Sequence, residues 1–304
     1  MAKNEGPKAW VVILILLGLF IIASFMAAMV ALFSGDVSGP GNVVVIPIHG
    51  VIVSTGEESF FFDTYATADR IIEDIERAEE DPTVEAVIFE INSPGGSAVS
   101  SEEIAFAVEN MEKPKVAWIR EVGASGAYWI ATSTDHIIAS RMSITGSVGV
   151  ISSYLDFSGF LEDYNVSYER LVSGKYKDTG TPFRPLKSEE RKILQEKLDT
   201  IHGYFLDQVQ ERRNLSLQEM REIETGVFFL GIEAYDLHLV DEIGNRQSAI
   251  DYLESKLNTT VNTKEYKHSR GLFDTFGVSS EKLSYAFGKG FSSNLFKDEP
   301  FIMT

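Results

Sequence analysis

The hydrophobic pattern of this chain begins with one long apolar run and then changes to short alternating stretches. Residues 9–33 carry no charged side chain and consist mainly of Val, Ile, Leu, Phe, Met and Ala. As a helix, a run of this length would be about 37 Å long, which exceeds the roughly 30 Å hydrocarbon core of a bilayer. A secretory signal has a shorter apolar core of about 7 to 15 residues, followed by a small-residue cleavage site. The length therefore favours a transmembrane anchor at residues 9–33.

Charged residues beside this run predict its orientation. Lys3 and Lys8 precede it, whereas no lysine or arginine follows it before Arg70. Because positively charged flanks stay on the cytoplasmic side, residues 1–8 are predicted to be a cytoplasmic N-terminus. The protein is then expected in the cell membrane with a single pass and with the bulk of the chain outside the cytoplasm. Residues 34–42 contain glycine and proline without an apolar period, which predicts a linker.

From residue 43 onward, β-branched runs alternate with stretches of helical periodicity. Strands are predicted at 43–48, 51–53, 84–91 and 115–119, and helices at 68–78, 188–213, 217–223 and 247–257. Ser100 and Glu103 have the spacing of a capping box and predict a helix start. Strands alternating with helices indicate an α/β fold. Residues 43–258 are predicted to form this domain, and the Ser-, Lys- and Phe-rich residues 259–304 a C-terminal tail.

Composition narrows the possible classes of function. The 304-residue chain has a formal net charge of -18, from 45 acidic and 27 basic residues. This charge argues against nucleic acid or an anionic membrane surface as a partner of the globular part. The chain contains no cysteine, so disulfides, thiol catalysis and cysteine-ligated metals are excluded. Its five histidines lack the spacing of paired metal ligands, so neither a metal site nor a cofactor is expected.

A serine and a lysine are the candidates for catalysis. Ser125 lies in residues 123–129, GASGAYW, and Lys177 lies in residues 173–178, SGKYKD. A serine hydroxyl needs a neighbouring base before it attacks a carbonyl carbon, and a lysine serves as that base only when it is neutral. Lowering its pKa from about 10.4 to roughly 7 requires burial or a cationic neighbour. We expect Asp178 to point away from Lys177, because an ion pair would raise the lysine pKa.

Glycine-rich turns supply the remaining groups that this chemistry needs. Residues 92–97, NSPGGS, follow an apolar strand, so main-chain N–H groups there can approach a substrate closely. The N–H groups of Gly96 and Gly126 are assigned to an oxyanion hole, where donors stabilise the negative oxygen that forms on the attacked carbonyl. Ser147, in residues 144–150, ITGSVGV, is assigned to orient the lysine.

Taken in order, these motifs resemble those of a known protease family. The motifs are PGG at 94–96, the turn with Ser125, TGSVGV at 145–150, Lys177-Asp178 and LVDEIG at 239–244. They are similar to motifs of the signal peptide peptidase A (SppA) family of membrane-anchored serine proteases, in its single-copy form. The resemblance implies a ClpP/crotonase-like fold, a Ser-Lys dyad and cleavage of hydrophobic peptides such as remnant signal peptides. It also implies homo-oligomeric rings in which the serine and lysine of one site come from adjacent subunits.

The sequence departs from the family pattern at one position and leaves other interpretations open. Ser97 follows Gly96 where many relatives continue with glycine, so either Gly95 or Gly96 is the oxyanion donor. A related Ser-Lys protease of the stomatin-operon partner type is expected to have a shorter serine-to-lysine spacing. A crotonase-like acyl-CoA enzyme would use the oxyanion turns without Lys177. A Ser-His-Asp triad would need His136, which follows the serine too closely in sequence, so a half-buried structural histidine is expected there.

Overall fold

The computed structural model describes residues 9–33, 41–55 and 65–266, which belong to two units. One unit contains helix α1, Ala9–Phe33, whose bounds coincide with those of the predicted apolar helix. Among the residues whose side chains are described, no helix is both long and apolar enough to cross a membrane. Some predicted segments lie wholly or largely outside the described ranges: residues 1–8, 34–42 and 259–304.

The other unit, Gly39–Glu265, is built from strands with helices between them. Its strands are β1 Val43–His49, β2 Ile52–Val53, β3 Ala66–Thr67, β4 Ala86–Ser93, β5 Lys115–Ala124, β6 His136–Ala139, β7 Ile144–Gly146, β8 Phe228–Leu230, β9 Glu242–Ile243 and β10 Thr263–Glu265. Its helices are α2 Ala68–Glu80, α3 Ala98–Glu109, α4 Gly126–Thr132, α5 Ser158–Asp163, α6 Ser188–Arg213, α7 Leu217–Ile223, α8 Gly231–Asp236 and α9 Arg246–Leu257. This alternation confirms the α/β class.

Most of the strands join in one predominantly parallel sheet. Its order is β10-β1-β4-β5-β6-β9, with β7 beside β5 and β8 beside β7. The β7–β8 pair is antiparallel, and the other pairs within this sheet are parallel. Strand β5 pairs with β6 over residues 116–119 and with β7 over residues 122–124. Parallel strands need crossover connections, which the helices supply.

The core explains the apolar run in the first part of β4. Ile88, Phe89 and Ile91 of β4 have no solvent-exposed surface. Such strands are typical of a parallel sheet that is covered on both faces. Helix α9 packs Ala249 and Leu253 against one part of this core, while α2, α3 and α4 contact one another and neighbouring strands.

The start of helix α3 differs from the predicted one. The helix begins at Ala98, and Ser97 is its N-cap residue. The Ser97 side chain accepts a hydrogen bond from the Ser100 N–H at 3.4 Å. The capping box predicted at Ser100 and Glu103 is therefore wrong, because the chain enters the helix immediately after Gly96.

The sheet extends beyond the boundary that the sequence suggested. Strand β10 lies past residue 258, in the segment assigned to the tail, and pairs in parallel with β1. Next to it, the Val43 N–H donates to Asn262 O at 3.1 Å. Three residues give too short a hydrophobic pattern to identify a strand, and only its pairing with β1 identifies it.

Thr145 provides a test of the side-chain hydrogen bond that joins β7 to β5. Its buried Oγ1 donates to Gly123 O at 2.8 Å. Thr145→Val keeps the volume but removes this donor, so the free energy of unfolding should fall by about 1–2 kcal/mol, measured by urea denaturation. The control Thr200→Val removes an exposed bond to Glu196 O and should change stability by less than about 0.5 kcal/mol. Equal losses of unfolding free energy in the two variants would contradict the role given to the hydrogen bond of Thr145.

Candidate active site

Ser125 occupies the sharp turn between β5 and α4. Its backbone dihedrals are φ 55° and ψ -128°, a conformation that costs a non-glycine residue roughly 1–3 kcal/mol. The Ser125 N–H donates to Gly146 O at 2.8 Å, so the end of β7 holds this turn. Its side chain is half-buried. A strained strand-to-helix turn is a known way for a fold to present a nucleophilic hydroxyl at the edge of a sheet.

The turn at residues 94–96 leaves the neighbouring strand β4 and approaches Ser125 closely. Gly95 in this turn has a φ of +91°, which favours glycine. A Cβ built on Gly95 would lie 2.9 Å from Ser125 Cβ and 2.8 Å from Gly126 N. Glycine is therefore required at position 95 both by its backbone conformation and by the space available.

Two main-chain N–H groups beside the serine are free to bind a substrate oxygen. The Gly95 N–H donates to Ser93 Oγ at 3.1 Å, whereas within the described ranges neither the Gly96 nor the Gly126 N–H has an acceptor. A Cβ built on Gly126 would lie 3.7 Å from Gly96 N, so the two donors are neighbours. The Ile52 backbone packs closely against Gly96, because a Cβ built on Gly96 would lie 2.1 Å from Ile52 O. The arrangement has the form of an oxyanion site.

Ser147 lies beside the serine at the same edge of the sheet. It directly follows β7, as Ser125 follows β5, and Ala124 pairs with Gly146. Because neighbouring strands are about 4.8 Å apart, the two serines are close. The Ser147 N–H donates to Val227 O at 3.1 Å, and its φ is 50°. The structure thus brings the predicted orienting residue next to the predicted nucleophile.

Lys177 is not brought to the serine within one chain. It is exposed and lies in a turn where its N–H donates to Gly174 O at 3.2 Å. In the part of the chain that the structure describes, its side chain forms no ion pair or hydrogen bond with Ser125 or Ser147. The described contacts of one chain therefore group Ser125, the Gly96 and Gly126 N–H groups and Ser147, and Lys177 takes part in none of them.

A network of four charged residues braces the segment around Lys177. Asp178 accepts from Arg170 Nη2 at 2.6 Å and from Arg184 Nε at 3.0 Å. Arg184 Nη2 also donates to Glu190 Oε1 at 2.6 Å. Hydrogen bonds from both arginines hold the pKa of Asp178 well below its usual range, and the bond from Arg184 lowers the pKa of Glu190 from 4.5 to about 2. The Asp178 carboxylate therefore bonds to the two arginines rather than to Lys177, as expected.

Residues 150–187, here called the arm, leave many apolar side chains in solvent. Ile151 is 91% exposed and Leu171 is 96% exposed. Further exposed apolar or aromatic residues of the arm are Tyr154, Leu155, Phe157, Phe160, Tyr164, Val166, Tyr168, Val172, Tyr176 and Phe183. Monomeric proteins rarely expose so much apolar surface in one region. The composition of the arm is typical of a surface that contacts another protein.

The histidine that a triad would need is engaged elsewhere. The His136 ring stacks on Tyr252 of α9 with 4.1 Å between ring centroids. Its Nε2 lies 3.5 Å from Glu242 Oε2. The side chain is 20% exposed, which agrees with the half-buried structural role expected from the sequence. Within the described ranges, no group of three or more His, Asp and Glu side chains is arranged to hold a metal ion.

Comparison with known proteins adds to this geometry. The model of Peptidase family S49 matches residues 107–260. A proposed protease of Methanocaldococcus jannaschii is 34% identical over 223 residues, which cover 72% of this chain and 70% of that protein. A proposed signal peptide peptidase SppA of Enterococcus faecium is 33% identical over 246 residues, which cover 80% of this chain and 70% of that protein.

A more distant relative and one solved structure complete the comparison. The chloroplastic serine protease SPPA of Arabidopsis thaliana is 31% identical over 202 residues, 65% of this chain and 30% of that protein. The solved structure of a membrane-bound stomatin-specific protease is 17% identical and covers 76% of this chain and 100% of that chain with a TM-score of 0.47, a likeness too slight to bear on the site. The family match and the identities over most of the chain show that it belongs to peptidase family S49, the signal peptide peptidase A family of serine proteases.

Proposed function

We propose that this chain is a membrane-anchored serine endopeptidase that cleaves hydrophobic peptides such as remnant signal peptides. The observation that supports this most strongly is the Ser125 turn, strained at φ 55° beside the unoccupied Gly96 and Gly126 N–H groups. A fold maintains such a conformation where the chemistry requires it. Membership of a peptidase family gives a peptide carbonyl as the group attacked, and it disfavours the acyl-CoA alternative.

The proposed mechanism proceeds through an acyl-enzyme. Neutral Lys177 takes the proton of Ser125 Oγ as this oxygen attacks the peptide carbonyl carbon, and Gly96 and Gly126 donate to the resulting oxyanion. When the intermediate collapses, the C–N bond breaks and the ammonium group of Lys177 returns its proton to the leaving amine. Water then attacks the ester carbonyl carbon while the amine again takes a proton. The bond from this carbon to Ser125 Oγ breaks, Oγ regains a proton from the ammonium group, and the acid product leaves. Ser147 orients the lysine amine.

The proposed active site is completed by a second copy of the chain. Within one chain the exposed Lys177 makes no described contact with Ser125, and it lies on the arm with its exposed apolar surface. Packing of the arm against a neighbour in a closed ring would bury this surface and carry the lysine to that neighbour's serine. The same contact would remove the amine from water, which favours the neutral form that a base requires.

The proposed anchor is α1. Its residues Ala9–Phe33 are helical, and the flanking lysines favour a cytoplasmic N-terminus. An enzyme tethered in this way would work on the outer side of the cell membrane. Apolar peptides concentrate at that surface because it offers them an apolar phase.

Subunit complementation tests whether the dyad is shared. Ser125→Ala and Lys177→Ala chains should each be inactive against a fluorogenic hydrophobic peptide. When the two are co-expressed, about a quarter of wild-type activity should return, because one random interface in four joins an intact serine to an intact lysine. Ser125→Ala co-expressed with the double variant is the control and should stay inactive. Mixed oligomers without activity would contradict the shared site.

Acid should loosen the arm through Glu190. Its pKa is lowered to about 2 by Arg184, so its stabilising effect is complete above the unfolded pKa near 4.5 and is lost as pH falls toward about 2. Hydrogen exchange in the arm should therefore quicken between about pH 5 and pH 2.5 after correction for the intrinsic rate. In Glu190→Gln the arm should already exchange faster than the wild-type arm at about pH 5, and its exchange should quicken less on acidification, because Asp178 is then the one remaining carboxylate of the network to be protonated. A wild-type arm that is equally protected across this range would contradict the bracing role.

A further inference from the structure

A surface groove outside the catalytic group lies between helices α2 and α3. Its volume is about 740 Å³. The apolar part is formed by Ile72, Ile75, Phe106, Ala107 and Met111. Phe106 is 66% exposed, although it stands beside buried neighbours on the same helix. The groove therefore offers an apolar surface that a peptide can cover.

The rim of this groove is acidic. It carries five carboxylates, from Asp69, Glu76, Glu79, Glu80 and Glu103. In the described part of the chain, Asp69, Glu76, Glu80 and Glu103 form no ion pair. The nearby Lys113 forms no ion pair with the rim within the described ranges, since its Nζ donates to the carbonyls of Ala78 and Asp81, each at 2.7 Å. A ligand that fits here is apolar and carries positive charge.

One end of this acidic groove adjoins the oxyanion turn. Helix α3 starts immediately after Gly96, and Glu103 lies about 10 Å along it at 1.5 Å per residue. Helix α2 follows β3, which pairs with the segment of Ile52 that confines Gly96. Helix α2 runs beside α3 from the same edge of the sheet, and its length from Asp69 to Glu80 is about 16 Å. A peptide whose carbonyl lies at Gly96 can therefore continue into the groove.

We propose that the acidic groove binds the positively charged, apolar flank of the peptide that is being cleaved. This inference rests on the proposed function and adds a specificity determinant to it. Secretory signal sequences place a basic segment beside an apolar one, which is the combination that the rim and the apolar surface complement. At about 3.3 Å per extended residue, the basic residues would lie roughly three to five positions from the scissile bond.

Cleavage of matched peptides tests the proposal in the full-length protein. Two peptides share one apolar core and carry either a Lys-Lys or a Gln-Gln pair about five residues before the scissile bond. The wild type should prefer the basic peptide, and Glu76→Lys/Glu103→Lys should lower the ratio of the two kcat/KM values by about tenfold. Salt near 1 M should lower the wild-type ratio in the same way. The control Glu211→Lys/Glu222→Lys makes the same charge change on exposed sites of α6 and α7 and should keep the ratio.

Direct binding separates failure of this inference from failure of the proposed function. Fluorescence anisotropy of the labelled basic peptide with the Ser125→Ala protein should give an affinity about tenfold higher than with the same protein carrying Glu76→Lys/Glu103→Lys. Equal affinities, or an unchanged cleavage ratio in the groove variant, would overturn the groove assignment even if both peptides are cleaved. Absence of cleavage with retained, groove-dependent binding would overturn the protease proposal instead.

Discussion

The backbone of Ser125 is the constraint on which the site depends. A residue with a side chain is held at φ 55° between β5 and α4, and the surrounding elements keep it there. Gly146 O accepts its N–H at 2.8 Å, and Gly95 leaves room for it because any Cβ at position 95 would collide. The strain of roughly 1–3 kcal/mol is offset by the packing of a sheet in which Ile88, Phe89 and Ile91 of β4 are fully buried.

The proposed mechanism draws its groups from the sheet and from the exposed arm. The sheet and its turns place Ser125, the Gly96 and Gly126 N–H groups and Ser147 next to one another. Lys177 is carried by the arm, whose fold depends on charge pairing rather than on an apolar core. This division suits an enzyme that is active only after assembly. Burying the exposed apolar surface would then drive association, and the same burial would neutralise the lysine amine.

Local patterns in the sequence were sufficient for the longer helices and the central strands, whereas the roles given to the site residues stay predictions. The bounds of α6 and α7 follow from hydrophobic periodicity, and the turn at residues 94–96 follows from glycines after an apolar strand. The sequence did not reveal β10, because three residues are identified as a strand only by their partner. The predicted start of α3 at Ser100 was wrong, because Ser97 and Ser100 are both suitable N-cap residues and Ser97 takes that position. The network around Asp178 was missed because such ion pairs have no periodic pattern. The position of Lys177 relative to Ser125 depends on contacts that no local pattern encodes.

Labelling with a fluorophosphonate probe, followed by mass spectrometry of the adduct, tests the central claim most directly. The account predicts a single adduct on Ser125 of the assembled protein. It also predicts that Lys177→Ala oligomers of unchanged size lose this labelling, because the hydroxyl then lacks its base. An adduct on another serine, or Lys177→Ala labelled at the wild-type rate, would contradict it.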